Sequence, residues 1–162
     1  MGHAMVAYFG HLAGFEYIWQ GVADPGVLER ARAAMAASGE ALVREYGEAM
    51  RGNVEANIED LLFRFGNLAL RDTVSRVGAD PVRKLRRNDR LVGAALYCLE
   101  QGVDPAPIVG GIAAALGFDR ADDPSARELQ GALREKGIDH VLEHYLGLRP
   151  DEPLWNLIRA EL

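Results

Sequence analysis

Aspartate followed by proline occurs four times in this chain, and the pairs divide it into segments of helical length. An aspartate carboxylate accepts hydrogen bonds from the free N–H groups in the first turn of a helix. Proline at the first helical position lacks only an N–H group that would have no partner there. Each pair therefore predicts the start of a helix. The pairs are Asp24-Pro25, Asp80-Pro81, Asp104-Pro105 and Asp123-Pro124.

Glycines stand where these helices are expected to end, because glycine adopts the left-handed conformation of a helix C-terminus at little cost. These glycines are Gly47, Gly102, Gly117, Gly137 and Gly147. Between the start and stop signals, apolar residues recur at spacings of three and four, which places them on one face of a helix. The clearest stripe is Val54, Ile58, Leu61, Leu62 and Phe65.

No segment alternates apolar, β-branched residues with polar ones, so no strand is predicted. The sequence thus predicts an all-α fold of about eight to ten helices. A length of 162 residues, of which 49% are hydrophobic, suits a single domain spanning residues 1–162 with a substantial core.

Charge and cysteine content exclude several classes of protein. The formal net charge of -6 argues against a nucleic-acid partner, because such proteins usually carry a basic surface. Cys98 is the only cysteine, which rules out an internal disulfide and a cysteine-built zinc site and favours a reducing compartment. No apolar run approaches the ~20 residues that span a bilayer, and no signal-peptide pattern is present. We therefore expect a cytoplasmic protein without a membrane partner.

Motifs for nucleotide binding, metalloprotease chemistry and serine hydrolysis (GxGxxG, GxxxxGK[ST], HExxH and GxSxG) are absent. His140 and His144 are four residues apart on a predicted helix, a spacing that can place two imidazoles beside one metal ion. No third ligand follows in a fixed pattern. A partly exposed amphipathic helix is favoured over a metal site by about four to one, and no metal is predicted.

The segment VSRVGADPVRKLRRNDRLVG, residues 74–93, concentrates positive charge in an acidic chain. If VSRVG ends one helix and DPVRKL begins another, Arg76 and Lys84 converge across the turn, and the N–H groups of the second helix add positive potential. From charge alone, a solvated turn is favoured over an anion site by about two to one. The basic residues are Arg76, Arg83, Lys84, Arg86, Arg87 and Arg90.

Four short motifs in and before this segment carry a resemblance to a known family. They are RF-x-N at 64–67, DT-x-x-RV at 72–77, DP-x-RKL at 80–85 and NDRL at 88–91. With the later GGIAAALGF and the initial GHAMVAYFGHLAG, they closely resemble the C-terminal domain of the mannitol-1-phosphate 5-dehydrogenases, which are polyol-specific long-chain dehydrogenases of the mannitol dehydrogenase family. The resemblance covers essentially the whole chain and favours the anion site.

The resemblance implies an all-helical, substrate-binding domain of an NAD-dependent oxidoreductase that interconverts mannitol 1-phosphate and fructose 6-phosphate. Members of the family bind NAD in an N-terminal Rossmann domain. This chain has neither the parallel-strand pattern nor the glycine-rich fingerprint of that domain, so we expect the domain to be absent from it. Its partners would then be the Rossmann domain of the same protein and a sugar phosphate or polyol. The 162-residue chain alone is expected to be inactive.

The family resemblance also implies the site residues. The catalytic signature is lysine, four residues, asparagine, two residues, histidine, and His3 matches the histidine. The lysine base and the asparagine would lie before residue 1. His3, Arg76 and Lys84 match positions that line the polyol site. We assign Arg83 to the phosphate on chemical grounds, since a guanidinium binds phosphate through two hydrogen bonds.

Two departures from the family pattern and two alternatives stay open at this stage. Leu68 replaces the proline that is usual in the family. Arg86-Arg87 replaces a pair of small residues or prolines, and these two arginines are expected to add charge beside the site and to alter the preferred sugar phosphate. The alternatives are a helical binding module without catalysis, and a domain of a dehydrogenase for unphosphorylated polyols or sugar acids.

Overall fold

The computed structural model describes residues 1–162 and confirms the predicted all-α fold. It has no β-strand, only an isolated antiparallel bridge between Tyr17 and Thr73. None of the helices is both long enough and apolar enough to cross a membrane. The ten α-helices are α1 (Gly2–Leu12), α2 (Ile18–Ala23), α3 (Pro25–Tyr46), α4 (Arg51–Phe65), α5 (Val74–Gly78), α6 (Pro81–Lys84), α7 (Val92–Glu100), α8 (Ala106–Leu116), α9 (Pro124–His144) and α10 (Pro153–Glu161), with 3₁₀ turns at Glu48–Met50 and Leu68–Leu70.

Three of the four Asp-Pro pairs begin helices as predicted. The carboxylates of Asp24 and Asp123 accept hydrogen bonds from the amide three residues later, at 2.9 and 3.0 Å, and Asp80 caps α6 in the same way at 3.3 Å. The fourth pair is displaced by one residue. Asp104 accepts from the amide of Ala106 at 3.0 Å, and Pro105 becomes the N-cap of α8.

The glycine stop signals are correct for Gly47, Gly102 and Gly147, which follow helices with φ of 97°, 67° and 69°. Gly137 also interrupts a helix as predicted, because its φ of 81° and ψ of 174° separate α9 into two helical segments that meet at a kink. Gly117 ends α8 with φ -83°, so this helix stops without a left-handed residue.

Helix α1 is the centre of the core. Eight of its eleven residues are buried, because it packs against α2, α3, α5 and α8 on different sides. The buried apolar residues of the whole chain form a cluster of 35. Helix α4 is the opposite case, since only Leu62 is buried and Phe63 is 82% exposed. The end of the chain that carries His3 is therefore anchored by the core, while α4 covers it from outside.

Arg87 ties the basic segment to the C-terminal part of the chain. Its guanidinium forms a two-pronged ion pair with Glu152, with Nη1–Oε2 at 2.9 Å and Nη2–Oε1 at 2.7 Å, and it also donates to the Gly147 carbonyl at 3.0 Å. Its charge is thus already matched by a carboxylate. The expectation that Arg87 adds a free charge beside the anion site is therefore wrong. The basic run does not reveal this ion pair, because Glu152 lies 65 residues away in the sequence.

This ion pair predicts a loss of stability in acid. The Arg87 guanidinium and the amide of Arg149 lower the pKa of the nearly buried Glu152 from 4.5 to about 2. A depressed carboxyl pKa adds stability above the unfolded-state pKa, and this stability is lost as the pH falls through the folded-state value. In urea unfolding, Glu152→Gln is expected to cost about 1 to 3 kcal/mol at pH 7. The difference from the parent chain should shrink between pH 4.5 and 2.

Asp151→Asn is the matched control, because Asp151 is 75% exposed and pairs only with the exposed Arg149. Its stability should match that of the parent chain across the same pH range. A Glu152→Gln difference that does not change with pH would contradict the assignment.

Candidate functional site

The basic segment forms two short helices joined by a sharp turn, as predicted. VSRVG is α5, and DPVRKL begins α6. Thr73 caps α5 by accepting from the amide of Arg76 at 3.2 Å. Asp80 adopts the left-handed conformation between the helices, with φ 58° and ψ 60°. This conformation separates α5 from α6, which begins at the next residue.

The protein itself occupies the N–H groups at the start of α6. The amide of Asp80 donates to Asp123 Oδ2 at 2.8 Å, and the amide of Val82 donates to Ser125 Oγ at 3.1 Å. The amide of Arg83 donates to Asp80 Oδ1 at 3.3 Å. The expectation that these groups add positive potential to an anion site is wrong, because two carboxylates and one hydroxyl already accept their hydrogen bonds.

Asp72 brings His3 and Arg76 together. Its Oδ1 accepts a hydrogen bond from Arg76 Nη2. Its Oδ2 lies 3.5 Å from His3 Nε2. His3 lies at the start of α1 and Arg76 lies on α5, so these two predicted site residues meet only through the tertiary fold. The Arg76 side chain is 65% exposed, whereas Asp72 is 19% exposed. The cation thus stands at the surface and its carboxylate partner lies beneath it.

The His3 ring is fixed by an aromatic neighbour. It stacks on Phe65 of α4 with a centroid distance of 4.4 Å and an interplanar angle of 4°. Burial lowers the pKa of His3, while the negative charge of Asp72 opposes this change and the Arg76 guanidinium adds to it. Near neutral pH the ring is therefore mostly uncharged.

Backbone contacts hold Asp72 in place. Its carbonyl accepts from the amide of Ile18 at 2.9 Å, and the next residues continue this contact through the Tyr17–Thr73 bridge. The amide of Val74 donates to the Glu16 carbonyl at 2.8 Å. The residues that lead into α5 are thus pinned to the residues that lead into α2.

Lys84 is one of two buried charged residues in the chain, at 7% exposure. Its ammonium donates a hydrogen bond to the carbonyl of Ala79, the residue that ends α5. Burial lowers the pKa of Lys84, and the nearby Arg83 and Arg90 guanidiniums lower it further. An ammonium has three N–H donors, so two remain beyond the contact with Ala79.

A cavity of about 330 Å³ lies beside Arg76. Arg76 lines it from α5, and Ala79, the partner of Lys84, lines it beside Arg76. Arg120 reaches it from the loop before α9 and pairs with Asp122 at 2.8 Å. The wall therefore holds two guanidiniums and two carboxylates. The lining residues are Ser75, Arg76, Ala79, Arg120, Asp122, Asp123 and Pro124.

Arg83 lies outside this arrangement. Its Nε donates to Asp80 Oδ2 at 3.0 Å, and its side chain is 47% exposed. The structure therefore joins His3 and Arg76 through Asp72, connects Lys84 to the wall of the cavity, and pairs Arg83 with the cap of its own helix.

Sequence analysis assigned no role to Asp72 or Arg120. Asp72 lies four residues before Arg76 within DT-x-x-RV, a spacing typical of ion pairs along a helical turn. That local signal was available. His3 lies near Asp72, and Arg120 shares the cavity with Arg76, because distant segments pack together. No local sequence pattern predicts these contacts.

His140 and His144 lie on the last two turns of α9, as predicted, and their rings stack with centroids 4.0 Å apart. No group of three or more histidine, cysteine, aspartate or glutamate side chains in the chain is arranged to hold a metal ion. His144 is exposed and His140 is half-buried, and His144 Nδ1 lies 3.2 Å from the carbonyl oxygen of His140.

Comparison with known proteins agrees with the family resemblance. The sequence profile of the mannitol dehydrogenase C-terminal domain matches residues 1–149. Mannitol-1-phosphate 5-dehydrogenase of Paenarthrobacter aurescens (strain TC1) is 42% identical over 154 residues, which are 95% of this chain and 40% of that protein. The protein of the same name from Bacillus licheniformis is 39% identical over 161 residues, 99% of this chain and 42% of the relative. The chain thus spans about two fifths of the length of these relatives.

Proposed function

The chain belongs to the family of mannitol dehydrogenase C-terminal domains, and on this basis we propose that it is the substrate-binding domain of a cytoplasmic, NAD-dependent mannitol-1-phosphate 5-dehydrogenase. The reaction would interconvert mannitol 1-phosphate and fructose 6-phosphate. The observation that carries the proposal is the convergence of His3 and Arg76 on Asp72. It brings an uncharged imidazole and a cation, both matching polyol-site positions of the family, to one place on the surface.

Each proposed site residue contributes a different interaction. The imidazole of His3 exchanges a hydrogen bond with the reacting hydroxyl or carbonyl oxygen. The cations Arg76 and Lys84 hold the reacting oxygen and neighbouring hydroxyls and orient the polyol, which lowers the entropic cost of reaching a reactive geometry. Arg83 binds the phosphate from the rim. NAD, when bound, supplies the hydride acceptor. The helices of this chain do not form the strand, glycine-rich turn and helix that bind a dinucleotide, so we assign NAD to the N-terminal domain.

An exposed apolar surface suits contact with that domain. Phe63, Leu68 and Leu70 are 82%, 63% and 54% exposed and follow one another through the end of α4 and the next turn. Phe65, which stacks on His3, belongs to the same stretch. Large apolar residues grouped on a surface often mark a site of protein contact. A domain resting there would also cover the site from solvent.

A grafted enzyme tests the proposal. This chain replaces the matched C-terminal segment of the Paenarthrobacter aurescens relative, and NADH formation from mannitol 1-phosphate is followed by absorbance. We expect turnover by the graft and none by the 162-residue chain alone. Turnover of mannitol or a sugar acid without turnover of mannitol 1-phosphate would identify a different dehydrogenase. A folded graft that turns over none of these substrates would favour a binding module.

Arg83→Ala in the graft is expected to raise the KM for mannitol 1-phosphate roughly 5- to 150-fold and leave mannitol kinetics unchanged. The reason is the loss of a hydrogen bond to a charged group, worth about 1 to 3 kcal/mol. Arg86→Ala is the matched control, because Arg86 is an exposed arginine three residues after Arg83, beyond the end of α6. Equal effects of the two substitutions on KM, or no effect of Arg83→Ala, would contradict the phosphate assignment.

One observation favours a second candidate function. Arg83 already pairs with Asp80, and the N–H groups of α6 are occupied, so the phosphate must compete with bound carboxylates. This arrangement suits a dehydrogenase of unphosphorylated polyols, which needs hydroxyl contacts alone. The ratio of kcat/KM for mannitol 1-phosphate to that for mannitol in the graft separates the two candidates.

A further inference from the structure

We propose that Asp72 is a positioning residue that orients His3 and Arg76 together and leaves Nδ1 as the polar atom of His3 that faces the substrate. The part of this inference that concerns a substrate rests on the proposed function. The orientation of the ring by Asp72 stands on the structure of this chain alone.

The first observation is the environment of His3 Nε2. It has no accessible surface and no hydrogen-bond partner, and no other side-chain polar atom in the chain is in this state. Asp72 Oδ2 lies 3.5 Å away, close enough for charge attraction but outside hydrogen-bond geometry. Buried polar atoms are nearly always paired. Hydrogen bonds in catalytic sites are often long in the unbound state and shorten when substrate binds.

The second observation is the division of the Asp72 carboxylate between two partners. Oδ1 accepts from Arg76, so Oδ2 remains for His3. The carbonyl of Asp72 is held by the amide of Ile18, which fixes the main chain at this point. The stacked ring of Phe65 fixes the plane of the imidazole. Phe65 thus fixes the plane of the His3 ring, and Asp72, which is held by Arg76 and Ile18, fixes the direction of its Nε2 edge.

These contacts decide where the proton of neutral His3 resides. A carboxylate facing Nε2 favours the tautomer that carries hydrogen on Nε2, because Nε2–H then points at a negative charge. Nδ1 keeps its lone pair and accepts a hydrogen bond from a substrate hydroxyl. When His3 is protonated, Nδ1–H can donate to a carbonyl oxygen instead. Asp72 thereby presents the same atom for both directions of a polyol–ketose reaction.

Several charges besides Asp72 act on His3. Arg76 from α5 and the amino terminus at Met1 both lower the pKa of His3, as does burial, and Asp72 alone among the charged neighbours raises it. Removal of the Asp72 charge is therefore expected to lower the pKa of His3. It should also weaken the preference for the Nε2–H tautomer, since no negative charge would face Nε2.

The experiment is ¹⁵N–¹H NMR titration of the four histidines in the 162-residue chain, with His3 signals identified by their loss in His3→Gln. We expect neutral His3 to be the Nε2–H tautomer. In Asp72→Asn the His3 titration should move to lower pH and the Nδ1–H tautomer should increase, and Asp72→Glu should restore part of both. Asp119→Asn is the matched control. It removes the carboxylate 3.0 Å from His11 Nε2 and should change the signals of His11 without changing those of His3.

An Nδ1–H tautomer in the unsubstituted chain, or an unchanged His3 titration in folded Asp72→Asn, would overturn the proposal. If Asp72→Asn does not fold, the tautomer of His3 in the unsubstituted chain still tests the proposal. In the graft, Asp72→Asn should lower kcat roughly 10- to 100-fold, the range known for carboxylates that orient metal-ligating histidines, with little change in KM and with the acid limb of the pH profile at lower pH. The NMR result needs no turnover, so an inactive graft would contradict the proposed function but not the orientation of His3 by Asp72.

Discussion

Lys84→Met in the grafted enzyme is expected to lower kcat by roughly 10²- to 10³-fold for both mannitol 1-phosphate and mannitol, the cost of removing one preorganised donor from a developing charge. The ammonium of Lys84 is buried and uses one of its three N–H donors on the Ala79 carbonyl. A buried cation with free donors attracts an oxygen that gains negative charge. Methionine keeps an apolar chain of similar length in the same space.

The control for this substitution is Lys136→Met, since Lys136 is the only other lysine and lies exposed on α9. It should leave kcat unchanged. Urea unfolding of the 162-residue chain measures the structural part of the effect, and loss of the bond to Ala79 should cost about 1 kcal/mol. If Lys84→Met lowers stability by several kcal/mol while kcat is unchanged, Lys84 serves only to join α5 to α6.

The parts of the fold that sequence analysis predicted are those set by neighbours in the chain. Asp24 and Asp123 cap their helices through amides three residues away, so the pattern alone determines the contact. Asp104 is displaced because its carboxylate bonds two residues ahead and Pro105 takes the cap position. Gly137 ends the first helical segment of α9, and a second segment follows it directly, so the predicted stop takes the form of a kink.

The parts of the site that sequence analysis did not predict depend on contacts between distant segments. The N–H groups of α6 are occupied by Asp123 and Ser125, each 43 residues away from its partner. Arg87 is neutralised by Glu152 near the C-terminus. A run of basic residues shows the charge present in a segment, but not which of those charges the fold has already paired. Arg87 is paired with the distant Glu152 and Arg76 with the nearby Asp72, whereas the ammonium of Lys84 has no carboxylate partner and donates only to the Ala79 carbonyl.

The family resemblance supplied His3, Arg76 and Lys84 as positions, without their geometry. The structure adds the carboxylate between the first two and the carbonyl that holds the third. In our proposal, the contact with Asp72 determines which nitrogen of neutral His3 carries the proton. The contact with Ala79 determines how many N–H donors of Lys84 remain free. They are therefore the features on which the kinetic predictions depend.

Phe118→Ala is expected to reduce the free energy of unfolding by about 3 to 5 kcal/mol, the cost of removing a fully buried phenylalanine. The ring packs edge-on against Tyr8 of α1, at 5.4 Å and 77°, and lies directly over Gly78 at the end of α5. A Cβ atom on Gly78 would come within 2.8 Å of the ring. Gly78→Ala should therefore cost about 1 to 3 kcal/mol through overpacking.

The double variant separates this packing from general destabilisation. The methyl group that Gly78→Ala introduces would occupy space vacated by the ring, so this substitution combined with Phe118→Ala should cost less than the sum of the two, by roughly 0.5 to 3 kcal/mol. Gly131→Ala is the control, since a Cβ there meets nothing within 4 Å, and it should stabilise the chain by about 0.4 to 1 kcal/mol. Strict additivity in urea unfolding would mean that the Phe118 ring does not limit the space at Gly78. The ring packs against Gly78 of α5 and Tyr8 of α1, the two helices that carry Arg76 and His3, so it supports both elements whose side chains meet at Asp72.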